Sequence, residues 1–209
     1  MKVFNFQQGT PEWFAARLGI ATASNFAAIL AAVKSGEAAD RRNYRARLVV
    51  ERLTGKPIET YTNAAMQQGT EREPFARAAY EHKSGAWVDE VGFIRHDTLE
   101  AGASPDGLIG GDGCLEIKSP QLATHLEYLR LPDATCPSIY RAQVQGQLWL
   151  AERQWCDFVS FNPDFPAHLQ LVIRRVVRDE TYIAGLALAV ELFMGEVREE
   201  TEAMQRLAA

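Results

Sequence analysis

The stretch Ser104-Pro105-Asp106-Gly107-Leu108-Ile109, then Gly-Gly-Asp-Gly at 110–113, then Cys114-Leu115-Glu116-Ile117-Lys118, decides the fold. Two short apolar runs around a glycine-rich turn predict a β-hairpin, 107–109 against 114–118. Successive side chains of a strand alternate between faces, so Glu116 and Lys118 project from one side and Ile117 from the other. Burying charge is costly unless it is paired or bound to metal. Two charges on one face of an internal strand therefore need a task. Asp106 lies ten residues before Glu116, at the turn that opens the hairpin, and hairpin geometry brings it alongside. Two carboxylates offer the hard oxygen ligands that Mg²⁺ prefers, with a lysine beside them as a point charge. An ion held there polarises a phosphoryl oxygen and lowers the pKa of a water. The competing interpretation of so short a pattern is an exposed Glu–Lys pair and a turn-capping aspartate.

Outward from the hairpin, the N-terminal third reads helical. Pro11 opens a short helix through 12–18, and Thr22 or Ser24 caps a second running to about Val33. A polar loop at 34–40 leads to a third helix at 41–53, stopped by Gly55 and Pro57. A fourth spans about 65–82, with Phe75, Ala78 and Ala79 on its apolar side. A strand is expected at 86–96, and the residues 102–107 that follow it read as a turn-rich connection. After the hairpin come a helix at 138–152 and strands at 155–161 and 169–176. A last helix starts near Asp179, where Ile183, Leu186, Val190, Phe193 and Val197 form one apolar stripe. The expected architecture is α/β (α+β), a central mixed β-sheet flanked by helices, in one domain covering 1–209.

Composition bounds the chemistry. The 209 residues are 47% hydrophobic and 23% charged, which is ordinary for a folded domain. No apolar run approaches a membrane span, and the N-terminus has no apolar core of a signal peptide, so a cytoplasmic protein is expected. Cys114, Cys136 and Cys156 are too scattered for a zinc site or disulfide framework. No G-x-x-x-x-G-K-[ST] loop is present, which argues against an ATP-driven machine. The net charge of -5 argues against indiscriminate coating of nucleic acid but allows a focused site.

Further residues accompany the hairpin in order along the chain. They are Arg17-Leu18-Gly19, Thr22-Ala23-Ser24, Glu73 in Gly69-Thr70-Glu71-Arg72-Glu73-Pro74, Ala103 to Leu108, and Ala142-Gln143-Val144-Gln145 followed by Gln147 and Trp149. Together these resemble the YqaJ-type viral recombinases, the family of phage lambda exonuclease within the PD-(D/E)xK nuclease superfamily. The resemblance implies a restriction-endonuclease-like fold and a role for each matching position. Asp106, Glu116 and the Ile117 carbonyl would ligate the metal, with Glu73 reaching a second ion or its waters. Lys118 would orient or deprotonate the attacking water. Ser104 and Gln143 would hold the scissile phosphate or the nucleophile. Arg17 and Ser24 would bind the terminal phosphate, and Met66 would be an apolar wedge splitting the end base pair. Lys34 falls where the relative has arginine, which costs bidentate phosphate geometry.

The implied activity is Mg²⁺-dependent digestion of the 5′-ended strand of linear double-stranded DNA to mononucleotides, with two ions and with Mn²⁺ able to substitute. The implied partners are double-stranded DNA ends, a homotrimeric ring of the chain itself, and a single-strand annealing protein that takes the 3′ tail. The alternatives are a PD-(D/E)xK endonuclease of restriction or repair type, and a non-catalytic module that binds DNA ends.

Overall fold

The computed structural model describes residues 1–58 and 64–207, except the side chains of 65 and 66. Over these residues the chain runs β1 (Lys2–Phe4), α1 (Pro11–Ala16), β2 (Ala21–Thr22), α2 (Phe26–Ile29), α3 (Ala39–Thr54), α4 (Ala64–Ser84), β3 (Phe93–Arg95), β4 (Ala101–Ala103), β5 (Gly107–Ile109), β6 (Gly113–Lys118), α5 (Leu122–Leu129), α6 (Arg141–Leu150), β7 (Trp155–Phe161), β8 (Leu171–Val177) and α7 (Glu180–Leu207). The expected mixed α/β architecture is present, with its strands divided between two four-stranded sheets, β1-β3-β4-β2 and β5-β6-β7-β8. Each sheet contains one parallel pair, β2–β4 in the first and β6–β7 in the second. Helix α6 packs against β4 of one sheet and against β6 and β7 of the other. Among the described residues no helix is long and apolar enough to cross a membrane.

Local chemistry sets the element ends. Thr10 caps α1 by accepting from the Trp13 N–H at 3.4 Å, and Pro11 occupies the first turn, where a missing N–H costs nothing. Gly55 closes α3 in the left-handed region at φ 65°. Asp179 caps α7 through the Tyr182 N–H at 3.0 Å. The whole predicted stripe of α7 is buried. Phe193 from this stripe stacks on Tyr44 of α3 with ring centroids 5.4 Å apart. Arg41 and Arg45 of α3 bind Glu196 and Glu200 of α7 across the same seam.

Four expectations are corrected. The helix expected from Thr22 to Val33 is a 3₁₀ turn at Ala23–Asn25 followed by the single-turn α2. On α4, Phe75 is 68% exposed and Ala78 is also on the surface, while Ala76 and Tyr80 are buried. The rotation of the helix is fixed by Tyr80, whose hydroxyl donates to Asp157 at 2.7 Å. The strand expected at 86–96 contracts to β3 because the chain changes sheets there. Asp89 bridges to Leu108 of β5, whereas Phe93 pairs with Phe4 of β1. Conversely, part of the turn-rich connection is the buried strand β4, paired on both sides. A Cβ on Gly102 would lie 2.1 Å from the Phe93 ring, so only glycine fits that rung.

Gly146 holds α6 against the core. A Cβ there would lie 2.5 Å from Cδ2 of the fully buried Phe26. Gly146→Ala is expected to lower the urea midpoint, with a cost of about 1–3 kcal/mol for overpacking. An unchanged midpoint would show that the helix can back away freely.

Candidate active site

Strand β6 fixes three of the predicted residues, and Asp106 is tied to it twice. The Asp106 N–H donates to the Leu115 carbonyl at 3.0 Å, and its Oδ2 accepts from the Ile117 N–H at 2.6 Å. The carboxylate thereby continues the antiparallel ladder one rung beyond β5. Residues that bond to one neighbour along a strand do so through both N–H and C=O. The Ile117 carbonyl therefore faces the same edge as Asp106. Glu116 is 1% exposed, on the face opposite Ile117, and pairs with Lys118. Burial and then the Glu116 carboxylate push the Asp106 carboxyl well above its ordinary range, against the pull of Lys118 and the Ile117 N–H. Burial alone would lower Lys118, but Glu116 and Asp106 hold it above the usual lysine range.

Helix α6 supplies two donors one turn apart. Gln143 Nε2 lies 2.6 Å from Glu116 Oε1, and Gln147 Nε2 lies 2.5 Å from Oε2. Gln147 Oε1 is buried without a partner. Lys118 Nζ sits 5.0 Å from the centre of the Tyr140 ring. Gln147 and Tyr140 were not among the predicted site residues. The i, i+4 repeat of glutamines was a readable signal for the first. Nothing in the sequence pointed to the second.

The opposite wall comes from the N-terminal segment. Trp13 Nε1 reaches Ser104 Oγ at 2.9 Å and the Gly92 carbonyl at 3.0 Å. The Arg17 guanidinium stacks 3.7 Å over the Trp13 ring. It makes no ion pair, with Glu12 or with any other described residue. Burial lowers Arg17 to about 10, so it stays cationic at neutral pH. Arg17, Ser24, Ser104, Asp106, Glu116, Lys118 and Gln143 line one cavity of about 170 Å³. Trp13, which anchors this wall, was not foreseen. No helix start adds free N–H donors to this wall, because α2 is one turn long and the Thr22 N–H is taken by Tyr44 Oη at 2.9 Å.

The remaining predicted positions lie apart. Glu73 lines a neighbouring cavity of about 510 Å³ that shares Asp106 and Gln8 with the first. Its carboxylate is turned to Arg77 at 2.7 Å. Burial raises the Glu73 pKa, against Arg77, with Glu116 adding to the rise. Lys34 is exposed on the loop after α2 and lines neither cavity. The Met66 side chain lies outside the described residues.

The residues present fit a hard divalent cation. Asp106 and the Ile117 carbonyl share one edge of β6, Glu116 lines the same cavity as Asp106, and Asp106 is held in surroundings that disfavour its negative charge. Among the described residues no group of three or more Asp, Glu, His or Cys forms a metal cluster by itself. Any ion there would complete its shell with water or substrate oxygen, as Mg²⁺ commonly does.

This mixed α/β fold, with Asp106 facing the Glu116-Ile117-Lys118 strand, is the fold of the PD-(D/E)xK nucleases. Residues 12–154 match the YqaJ-like viral recombinase domain, and the chain belongs to that family. It is similar to the alkaline exonuclease LHK-Exo of Laribacter hongkongensis, at 44% identity over 95% of this chain and 98% of that one, with a TM-score of 0.86. The same exonuclease in complex with dAMP superposes with a TM-score of 0.87. A phage-related exonuclease from Haemophilus somnus 129PT shares the fold at 15% identity, covering 87% of this chain and 96% of that one, with a TM-score of 0.66. The uncharacterized protein R354 of Acanthamoeba polyphaga mimivirus is 26% identical over 176 residues, or 78% of this chain. This chain spans only 30% of the length of that relative.

Proposed function

We propose that the chain is an alkaline-type exodeoxyribonuclease that degrades the 5′-ended strand of linear double-stranded DNA to mononucleotides. The observation that carries this is the shared cavity. A hydrolytic trio of Asp106, Glu116 and Lys118 faces a serine and a stacked arginine, which has no ion pair among the described residues, across a space of about 170 Å³. A cation waiting for an anion next to the cutting centre suits a strand end better than a strand interior. The similarity to LHK-Exo, and the dAMP complex of that enzyme, support exonuclease chemistry with a mononucleotide product.

Mg²⁺, or Mn²⁺ in its place, would be held by Asp106, Glu116 and the Ile117 carbonyl, with Glu73 toward a second ion, and would supply Lewis acidity at the phosphate and a more acidic water. Lys118 places positive charge where the phosphorane becomes negative. Gln143 and Gln147 fix the orientation of Glu116, and Ser104, itself fixed by Trp13, offers its hydroxyl to the scissile phosphate. Guanidinium grips a phosphate through two parallel hydrogen bonds, so Arg17 with Ser24 would anchor the 5′-terminal phosphate and pull the strand forward after each cut. From the family resemblance we also carry a homotrimeric ring and transfer of the 3′ tail to a single-strand annealing protein, acting in the cytoplasm.

The test compares initial rates on linear duplexes bearing a 5′-phosphate or a 5′-hydroxyl, and on closed circles. Wild type is expected to prefer the phosphate and leave closed circles intact. Arg17→Ala is expected to reduce that preference about tenfold, the worth of one charge-assisted bidentate contact. Cutting of closed circles would favour an endonuclease, and an undiminished preference would remove Arg17 from end recognition.

A further inference from the structure

Helix α6 meets β6 along one line of side chains. Tyr140 opens the helix, Gln143 follows one turn later, and Gln147 one turn after that. The two glutamines donate to the Glu116 carboxylate, and Lys118 Nζ lies over the Tyr140 ring, 5.0 Å from its centre. Glu116 and Lys118 share one face of β6. One face of the helix therefore answers both charges of the strand, the carboxylate with amides and the ammonium with an aromatic ring.

Tyr140 is firmly placed. Its N–H donates to the Pro137 carbonyl at 2.9 Å and closes the 3₁₀ turn Ser138–Tyr140. Its ring stacks on Phe158 with centroids 5.5 Å apart and meets Tyr128 edge-on at 6.5 Å. Phe158 and Tyr128 are themselves buried. Phe158 stands beside Glu116 in the β6–β7 register, so the aromatic cluster is anchored in the sheet that carries the catalytic strand. Lys118 needs such a support. Its stem has four flexible carbons, and the Glu116 carboxylate that pairs with its ammonium is also one that a divalent cation would take. An aromatic face attracts an ammonium within about 6 Å of the ring centre through its quadrupole. The ring carries no net charge, so it holds Lys118 without spending a carboxylate that the cation needs.

We propose that Tyr140 is a positioning residue, the aromatic floor that aims the Lys118 ammonium at the reacting phosphate. The ring acts, and the hydroxyl does not. This rests on the hydrolytic role of Lys118 proposed above but not on the polarity of cutting.

Two measurements test it. The chain has five lysines, few enough for carbon–proton NMR spectra of labelled lysine to resolve the Lys118 methylene next to the ammonium, which Lys118→Ala assigns by its disappearance. Recorded in EDTA, this reads the contact without metal or turnover. A ring current moves protons over an aromatic face upfield. The Lys118 signal should therefore lie upfield of the other lysines in wild type and in Tyr140→Phe, and return to the ordinary position in Tyr140→Leu. An unshifted wild type, or a shift that survives Tyr140→Leu, overturns the proposal. Single-turnover cleavage at saturating DNA and Mg²⁺ reads the consequence. Tyr140→Leu should cut about tenfold more slowly, the worth of one partly buried cation–π contact, and Tyr140→Phe should recover most of that loss. In a Lys118→Ala background, Tyr140→Leu should cost little more, since the two act as one unit. A phenylalanine variant as slow as the leucine one, or a full tenfold loss in the absence of Lys118, overturns it too. Circular dichroism melts establish that Tyr140→Leu is folded, and if it is not, Tyr140→Met takes its place in both measurements. Both linear duplex and closed circles are offered. Cutting of circles would remove the exonuclease reading while the Tyr140 comparison proceeded on that substrate. Cutting of neither by wild type would remove the hydrolytic role of Lys118, and this proposal with it.

Discussion

Asp106→Asn and Glu116→Ala are both expected to lose cleavage by about 10³-fold or more, at least about 4 kcal/mol of transition-state stabilisation, yet to move stability in opposite directions. Asparagine keeps an oxygen to accept the Ile117 N–H, now 2.6 Å from Asp106 Oδ2, and removes a negative charge next to Glu116. The Asp106 carboxyl is raised by burial and by Glu116, so the folded state favours its protonated form. That contribution is full below the ordinary carboxylate range and is lost as pH rises through the raised value. Asparagine mimics the protonated form at every pH. In EDTA the variant should therefore match wild type in acid and melt higher at neutral pH. Glu116 is the reverse case. Lys118, Gln143 and Gln147 all donate to it, and its removal orphans buried donors at a cost of about 1–3 kcal/mol. Urea unfolding in chelator separates the two. Near-wild-type cleavage by either variant at millimolar Mg²⁺ would sink the assignment of the site.

Lys118→Ala should reduce single-turnover cleavage by on the order of 10²–10³-fold, or about 3–4 kcal/mol, by removing positive charge at the reacting phosphate. Cation binding should survive and even tighten, because the ammonium group pairs with Glu116 and competes with a cation for the same carboxylate. Titration with Mg²⁺ by calorimetry reads this directly. If metal binding disappeared along with cleavage, Lys118 would be holding Glu116 in place and nothing more.

The part of the site built by local geometry was legible in the sequence. Strand alternation placed Glu116 and Lys118 together, the hairpin brought Asp106 to them, and one helical turn set Gln143 above Gln147. What the sequence hid depends on distant contacts. Trp13 matters because Ser104 receives its N–H from 91 residues away. β2 has two residues and β1 and β4 three each, too short to show alternation, so of the first sheet only the region of β3 was foreseen. Phe75 was misplaced because a helical pattern gives a spacing, while the rotation of α4 is fixed by the distant partner Asp157.

The double attachment of Asp106 to β6 has a consequence for how the chain can change. Its backbone and its side chain are successive rungs of one ladder, on the Leu115 carbonyl and the Ile117 N–H. A shift of the hairpin by one residue would break both and turn Leu115 and Ile117 to the face that holds Glu116 and Lys118. Lengthening or shortening the exposed turn at 110–112 leaves both rungs in place. Natural variation should therefore accumulate in that turn, while the spacing from Leu115 to Lys118 stays frozen, and a lineage that abandons cutting should lose Lys118 well before Asp106.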